Sequence, residues 1–493
     1  MPDDEINQST GDAVRSRGHF WWDDELAPDR HHLPLSAVTG ELKITAEGRV
    51  TVQLDAMLPR QRREPFPTNS QAEFEALRAR RIRGVLRGSG RGVLLFNLAQ
   101  AGALHSSYAV FTEGFSAAQC LISEVQFDGR LKQPAFTYID ADLNGFEEWL
   151  WTRALKWKYG KVVSTAKYRK PKRLIYRLQH GRLSLVQHLT GRSQGHSDIA
   201  WSEAAYLRFR PDKSLGMDAA IEWHRWLQDF MILLTDSDYC LEWPEVRWGK
   251  HNCTIYFQRL PSKAERPRLH ECPTNFPKIR ESFGILFEKW LGIRDTYGPG
   301  VYLYLGTRRG MQLYAENQFI MLVSGLEAFH RTKYGDAPLP SATEKVERIV
   351  SQITAGRDKR WAKNRLALAI LPNLENRIFE AVNALALGFD EERLRGFARD
   401  CAKLRNDLAH YGGNRSRAAG YSDFISAVIK KNNVLGPLCH ALALTEIGLD
   451  PVAVRAWAVE SPLAFRRNWY FAEVGLIDHA DPNARSQDAT AAR

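Results

Sequence analysis

The 493-residue chain has no run of 18 or more apolar residues, so no membrane-spanning helix is expected. Its start, MPDDEINQSTGD, is polar and acidic and lacks a basic segment leading into an apolar one, so no secretory signal is expected either. The six cysteines (Cys120, Cys240, Cys253, Cys272, Cys401 and Cys439) are scattered without a CxxC pair. They read as reduced core residues of a cytoplasmic protein. A Walker-type phosphate loop, a GxSxG elbow and an HExxH helix are all missing, and no repeat of fixed period occurs. No cofactor is expected. From Trp149 to Gly195 there is neither Asp nor Glu.

What is present is ordinary for a folded protein of several cores: 44% hydrophobic, 25% charged and 11% aromatic residues. At roughly 150 residues per domain the length suggests two to four domains. Sixty-eight Lys and Arg face 57 Asp and Glu, a net charge of +11 that favours a polyanionic partner.

The patterning predicts a multidomain α+β chain, with N-terminal β-rich, sandwich- or barrel-like regions followed by an all-α bundle. Residues 1–18 read as a flexible leader and 19–148 as a first β-rich domain. Strands are expected at Leu42–Thr45, Arg49–Leu54, Ile82–Leu86, Val93–Leu98, Tyr108–Thr112, Cys120–Phe127 and Pro134–Ile139. The GxGxG at Gly88–Gly92 lacks a following Lys-Ser/Thr and reads as a hairpin turn. A second β-rich region spans 149–270, with strands Arg173–Gln179, Leu183–His188, Ala205–Phe209 and Thr254–Gln258 and one amphipathic helix near Met217–Leu234.

A helical domain is expected over 275–478, with helices at Phe276–Leu291, Met311–Lys333, from Ser341 (a capping box with Glu344), Asn373–Leu387, Asp390–Tyr411 and Ser422–Ile447. Residues 479–493 read as a disordered tail.

In the acid-free stretch, Lys and Arg alternate with Trp151, Trp157, Tyr159, Tyr168 and Tyr176. Cations among aromatic rings suit single-stranded RNA. Lys167, Arg169, Lys170, Lys172 and Arg173 are the candidate RNA contacts. An acidic phage protein could use the same patch, and a solvated basic face is the plainer reading. The pairs His251-x-Cys253 and His270-x-Cys272 offer four zinc-type donors, but their spacing matches no established zinc motif, so no metal is expected. Asp23-Asp24 and His31-His32 read as surface or loop residues.

The chemistry concentrates in Asp390–Tyr411. Asp390 reads as the N-cap, and Leu394, Phe397, Cys401, Leu404 and Leu408 form a buried stripe. Gly412-Gly413 ends the helix. At about 100° per residue, Asn406 and His410 lie about 40° apart, and the long Arg405 side chain reaches the same spot. Metal-free RNA cleavage needs a proton carrier near neutrality and a fixed positive group for the phosphorane; histidine and arginine supply them.

The segment Arg405-Asn406-Asp407-Leu408-Ala409-His410 matches the R-x4-6-H pattern of the HEPN superfamily, including the Asn after the Arg. Asn317–His330 is similar to the first HEPN helix of ApeA-type proteins, and Gly18-His19-Phe20-Trp21-Trp22 followed by a strand pair around Gly40–Leu54 resembles their start. That family joins β-rich regions to a C-terminal HEPN domain and acts in anti-phage abortive infection.

The resemblance implies a homodimeric or higher-order endoribonuclease that leaves 2′,3′-cyclic phosphate and 5′-hydroxyl ends, controlled by an N-terminal part that senses a phage component. His410 would be the general acid/base, Arg405 the transition-state stabiliser and Asn406 its support. Glu327 lies in the apolar run Phe319–Phe329, where a carboxylate needs a partner, and is expected to salt-bridge Arg405. His330 is a weaker candidate. A tRNA target fits a toxin that halts translation, although nothing in the sequence names the RNA. The rival reading is a non-catalytic HEPN module that binds RNA or protein through 149–195.

Overall fold

The structure, a computed structural model, describes residues 12–25, 33–59, 71–104, 112–129, 131–161, 165–194, 198–259, 264–309, 313–411 and 420–479. The chain divides into two compact units. One comprises residues up to Gln228 together with Tyr239–Lys263; the other comprises Asp229–Asp238 and everything from Ala264 onward.

Fourteen strands are described in the first unit: β1 (Asp12–Trp22), β2 (Val38–Thr45), β3 (Val50–Leu54), β4 (Ile82–Leu86), β5 (Gly92–Leu104), β6 (Thr112–Ser123), β7 (Phe136–Asp142), β8 (Leu155–Lys158), β9 (Thr165–Tyr168), β10 (Leu174–Leu178), β11 (Gly181–Gln194), β12 (Asp198–Pro211), β13 (Glu245–Trp248) and β14 (His251–Phe257). Twelve form one antiparallel sheet in the order β10-β11-β12-β7-β13-β14-β6-β3-β2-β1-β4-β5, and β8 pairs with β9 alone.

Because β5 also pairs with β6, the run β6-β3-β2-β1-β4-β5 closes into a six-stranded barrel. β6 makes this possible. Its first half pairs with β3 and its second half with β14, while β5 runs along the other side of both.

Alternation builds the barrel core. Leu42 and Ile44 on β2, Val50, Val52 and Leu54 on β3, and Phe20 and Trp22 on β1 all point inward, with Leu95, Phe115 and Ile122 closing the far side. At the β2–β3 turn, Gly48 has φ +78°, and a Cβ there would stand 2.0 Å from the Phe257 carbonyl oxygen. Both facts require glycine. Gly88 and Gly90 likewise turn β4 into β5, as the hairpin reading expected.

Two sequence expectations are corrected. Residues 12–18 are not leader: Arg15–Gly18 pair with β2, and Gly18 also pairs with Leu86 of β4. Residues 1–11 lie outside the described residues. The expected division at 148/149 also fails, because β7, from before it, lies between β12 and β13, from after it. Non-local pairing decides both cases, and sequence alternation cannot report it. The Tyr108–Thr112 strand, His31-His32 and residues 480–493 lie outside the described residues, apart from Thr112, which opens β6.

Asp23 is not a surface residue. It is buried, and its carboxylate meets Arg81 and Arg83 at 2.5 Å each. Breaking a buried pair strands a charge, whereas an exposed pair contributes little. Asp23→Ala is therefore expected to cost about 3–5 kcal/mol in chemical denaturation. Asp55→Ala, which removes the exposed partner of Arg17, should cost under about 1 kcal/mol.

The second unit is helical. Its main helices are Phe283–Tyr297, Pro299–Gly306, Ala315–Tyr334, Pro340–Ser351, Gly356–Leu366, Leu374–Asn383, Glu391–Tyr411, Tyr421–Glu446 and Phe465–Glu473. The expected Phe276–Leu291 helix is two, Phe276–Ile279 and Phe283–Tyr297, and the expected Met311–Lys333 helix starts at Ala315. The Ser341 cap is also corrected. The helix opens on Pro340, whose fixed φ suits a first turn, after Leu339 with no side-chain cap. Asp390 does cap, accepting from the Arg393 N–H at 2.9 Å.

A buried polar cluster organises this unit. The His440 ring is fully buried; its Nε2 donates to the Leu233 carbonyl at 2.9 Å, and its Nδ1 accepts from the Tyr304 hydroxyl at 2.5 Å. Asp236 sits 3.6 Å from His440 and pairs with Arg308 at 2.8 Å and Arg467 at 3.8 Å. Burial pushes the His440 imidazole down to about 4, against the pull of Asp236. The unfolded imidazole titrates at about 6.5, so the neutral buried ring carries no penalty above that pH, and its contribution to stability is lost progressively as pH falls toward 4. Urea titrations of His440→Gln should show a flatter pH dependence over that range; an unchanged slope would refute this.

Candidate active site

Two helices supply the site. In Ala315–Tyr334, Phe319, Leu322, Val323, Leu326 and Phe329 recur at helical spacing and are all buried. Gly300 lets the preceding helix approach closely, since a Cβ there would lie 2.8 Å from the Phe329 Cα. Glu327 falls at the edge of the apolar stripe, half-buried. In Glu391–Tyr411, Leu394, Phe397 and Cys401 are buried, whereas Leu404 and Leu408 are only half-buried as the helix runs out toward solvent.

Glu327 spans the two helices. Its Oε2 lies 3.7 Å from Arg405 Nη2, and its Oε1 accepts from Arg331 Nη2 at 3.0 Å. Arg405 Nη1 also donates to Asn406 Oδ1 at 3.3 Å. Arg405 thus has a carboxylate on one side and an amide on the other. The pair is about a third to a fifth exposed, and such pairs are worth only about 0–1 kcal/mol. It therefore fixes the direction of a guanidinium more than it stabilises the fold. His410 lies on the same helix, five residues after Arg405. The described side chains of this helix end at Ala409, and Gly412-Gly413 lie outside the described residues.

His330 does not join this group. It is buried, donating from Nε2 to Glu380 at 2.7 Å and accepting at Nδ1 from Arg377 at 3.4 Å. Arg377, buried itself, continues to Asp336 at 2.5 Å, and Asp336 reaches Arg331 at 3.3 Å. Sequence reading missed this network. An Arg beside Ile378 and Phe379 on an apolar helix face was the available signal.

The five candidate RNA contacts, Lys167, Arg169, Lys170, Lys172 and Arg173, are all exposed, on β9 and the segment that leads into β10. Two of the four zinc-type residues have other partners. His251 packs on Phe127 and faces Ser123, and the Cys272 thiol donates to the Arg268 carbonyl. Among the described residues no group of three or more His, Cys, Asp or Glu could hold a metal ion, and no helix is long and apolar enough to cross a membrane.

No curated protein and no solved structure matches the chain. Residues 15–290 match the family described as ApeA N-terminal domain 1, and residues 320–451, which include Glu327, Arg405, Asn406 and His410, match Apea-like HEPN. The β barrel with its added strands, the helical unit and these two matches agree, and the chain belongs to the ApeA family of HEPN-domain anti-phage defence proteins.

Proposed function

We propose that the chain is a metal-independent endoribonuclease that acts in abortive infection, with Arg405, Asn406, His410 and Glu327 as its centre. The observation that carries this reading is the Glu327–Arg405 ion pair between two helices inside the HEPN match. A nuclease of this type moves two protons and stabilises one developing charge. His410 takes the ribose 2′-hydroxyl proton or delivers one to the leaving 5′-oxygen. The 2′-oxygen bonds to phosphorus as the P–O5′ bond breaks, which leaves a 2′,3′-cyclic phosphate and a 5′-hydroxyl. Arg405, always charged and planar, pairs with the phosphorane oxygens. Glu327 aims it, and Asn406 holds its near side.

One helix offers one histidine, so a second copy of the chain about a two-fold axis would supply the other. The exposed Lys167, Arg169, Lys170, Lys172 and Arg173 hold RNA backbone. The N-terminal unit senses a phage component and restrains the nuclease until then. Host RNA is the substrate, and tRNA fits the need to stop translation with few cuts.

The test incubates wild type and His410→Ala with total bacterial RNA in EDTA, with and without phage-infected lysate, and sequences the cut ends. Discrete cuts with 5′-hydroxyl ends are expected from the wild type. His410→Ala should reduce them by about 10²–10⁴-fold. Cuts of equal strength in His410→Ala would refute the assignment. No cutting by either protein under either condition would favour a HEPN module that binds RNA without cleaving it.

A further inference from the structure

The β8–β9 hairpin stands apart from the twelve-stranded sheet, and its register sorts its side chains. The pairs are Leu155↔Tyr168, Lys156↔Lys167, Trp157↔Ala166 and Lys158↔Thr165. Paired residues share a face and faces alternate. One face therefore carries Leu155, Tyr168, Trp157 and Ala166, continued by Tyr159; the other carries Lys156, Lys158 and Lys167.

On the first face the Trp157 and Tyr159 rings lie near-parallel, 13° apart with centroids at 6.4 Å. They remain 49% and 81% exposed. The small Ala166 opposite Trp157 leaves the indole uncovered by a cross-strand partner.

Exposed aromatics at alternate strand positions occur without function. Two further observations argue against that reading here. Lys156 and Lys167 face each other directly across the strands, an arrangement that weakens an isolated hairpin unless an anion lies against it. The stretch that holds the hairpin also contains no Asp or Glu from Trp149 to Gly195.

The hairpin is nevertheless held in place at its base. Glu203 on β12 accepts from the Leu155 N–H and the Thr152 hydroxyl, and the Arg169 N–H donates to the Ala154 carbonyl at 3.0 Å. The chain enters through two non-glycine residues in left-handed conformation, Trp151 (φ 45°) and Arg153 (φ 47°), with the Arg153 guanidinium 3.9 Å over the Trp151 ring. Such backbone is costly for a tryptophan and persists where the surroundings enforce it.

We propose that this hairpin is a base-stacking arm for an unpaired nucleic-acid strand, with Trp157 and Tyr159 as the rings that receive the bases and Lys156, Lys158 and Lys167 as the cations for its phosphates. The arm is two strands wide, about 5 Å, so lysine side chains reach round it to a backbone whose bases lie on the aromatic face. A duplex keeps its base faces in its own stack and cannot use the rings. The proposal rests on the reading of the basic segment as an RNA-binding surface and adds what that surface selects.

The test uses full-length His410→Ala protein, so that bound RNA is not cut, and measures fluorescence anisotropy with labelled oligouridylate, oligothymidylate and an RNA duplex. Trp157→Ala/Tyr159→Ala should weaken binding of both single strands by about tenfold or more while duplex binding changes little. Trp157→Phe should retain most of the affinity. Comparable binding of the two single strands would mean that either sugar is accepted; a preference for oligouridylate would assign the arm to RNA.

The proposal fails if the double alanine variant binds oligouridylate as tightly as its parent, if duplex competes equally well, or if polyglutamate displaces the strand and so marks an acidic-protein surface. Substituting Lys167, Arg169, Lys170, Lys172 and Arg173 by Gln separates the two readings. Loss of single-strand and duplex binding alike, with no effect of the aromatic changes, leaves an RNA-binding surface without a stacking arm. No effect of either set removes both.

Discussion

A carboxylate on a mostly apolar helix face must find positive charge, and Glu327 finds two guanidiniums. That one requirement ties Ala315–Tyr334 to Glu391–Tyr411 at the level where Arg405 sits. The geometry is uneven: Arg331 is held at hydrogen-bond distance and Arg405 at 3.7 Å. Arg331 has a second carboxylate in Asp336. Glu327 is therefore anchored from one side while the side chain it directs stays partly in solvent. Under the proposed function, a phosphate would meet a guanidinium whose orientation is already restricted, which would lower the entropy lost on forming the contact.

The helical unit separates two kinds of polar group. Arg377, His330 and His440 are shut away, each with partners on both sides, and their role is to fix helices against one another. Buried networks of this kind are costly to disturb because removal of one partner strands the others. Arg405 and Asn406 are instead left accessible near the end of their helix. The rigid interior and the exposed pair suit the proposed nuclease, since a reactive centre needs its supports immobile and its own groups open to substrate.

Much of this was legible in the sequence and some was not, for identifiable reasons. Leu394, Phe397 and Cys401 at three- and four-residue steps fixed the helix, and Asp390 marked its start, because both signals are local. The β2–β3 hairpin was legible from Ala46-Glu47-Gly48 for the same reason. Closure of the barrel was not, since it depends on β6 serving β3, β14 and β5 at once. The first half of β1 was hidden by its own composition: Arg15, Ser16 and Arg17 look like a solvated leader, and only pairing with β2 makes them a strand. The Glu327–Arg405 ion pair was legible because an acid within Phe319–Phe329 is a visible anomaly, whereas the anchor of His330 on Glu380 and Arg377 spans about fifty positions, and its one local sign is an Arg beside Ile378 and Phe379.

Whether Glu327 acts through Arg405 is read directly by a double-mutant cycle on RNA cleavage. Cleavage rates of Glu327→Gln, Arg405→Gln and the double variant would be compared with wild type under conditions in which wild type cuts. If Glu327 works by aiming Arg405, its loss should cost about tenfold or more, and the double variant should be little worse than Arg405→Gln alone. If the two losses multiply, Glu327 and Arg405 act independently, and the ion pair is not what builds the centre.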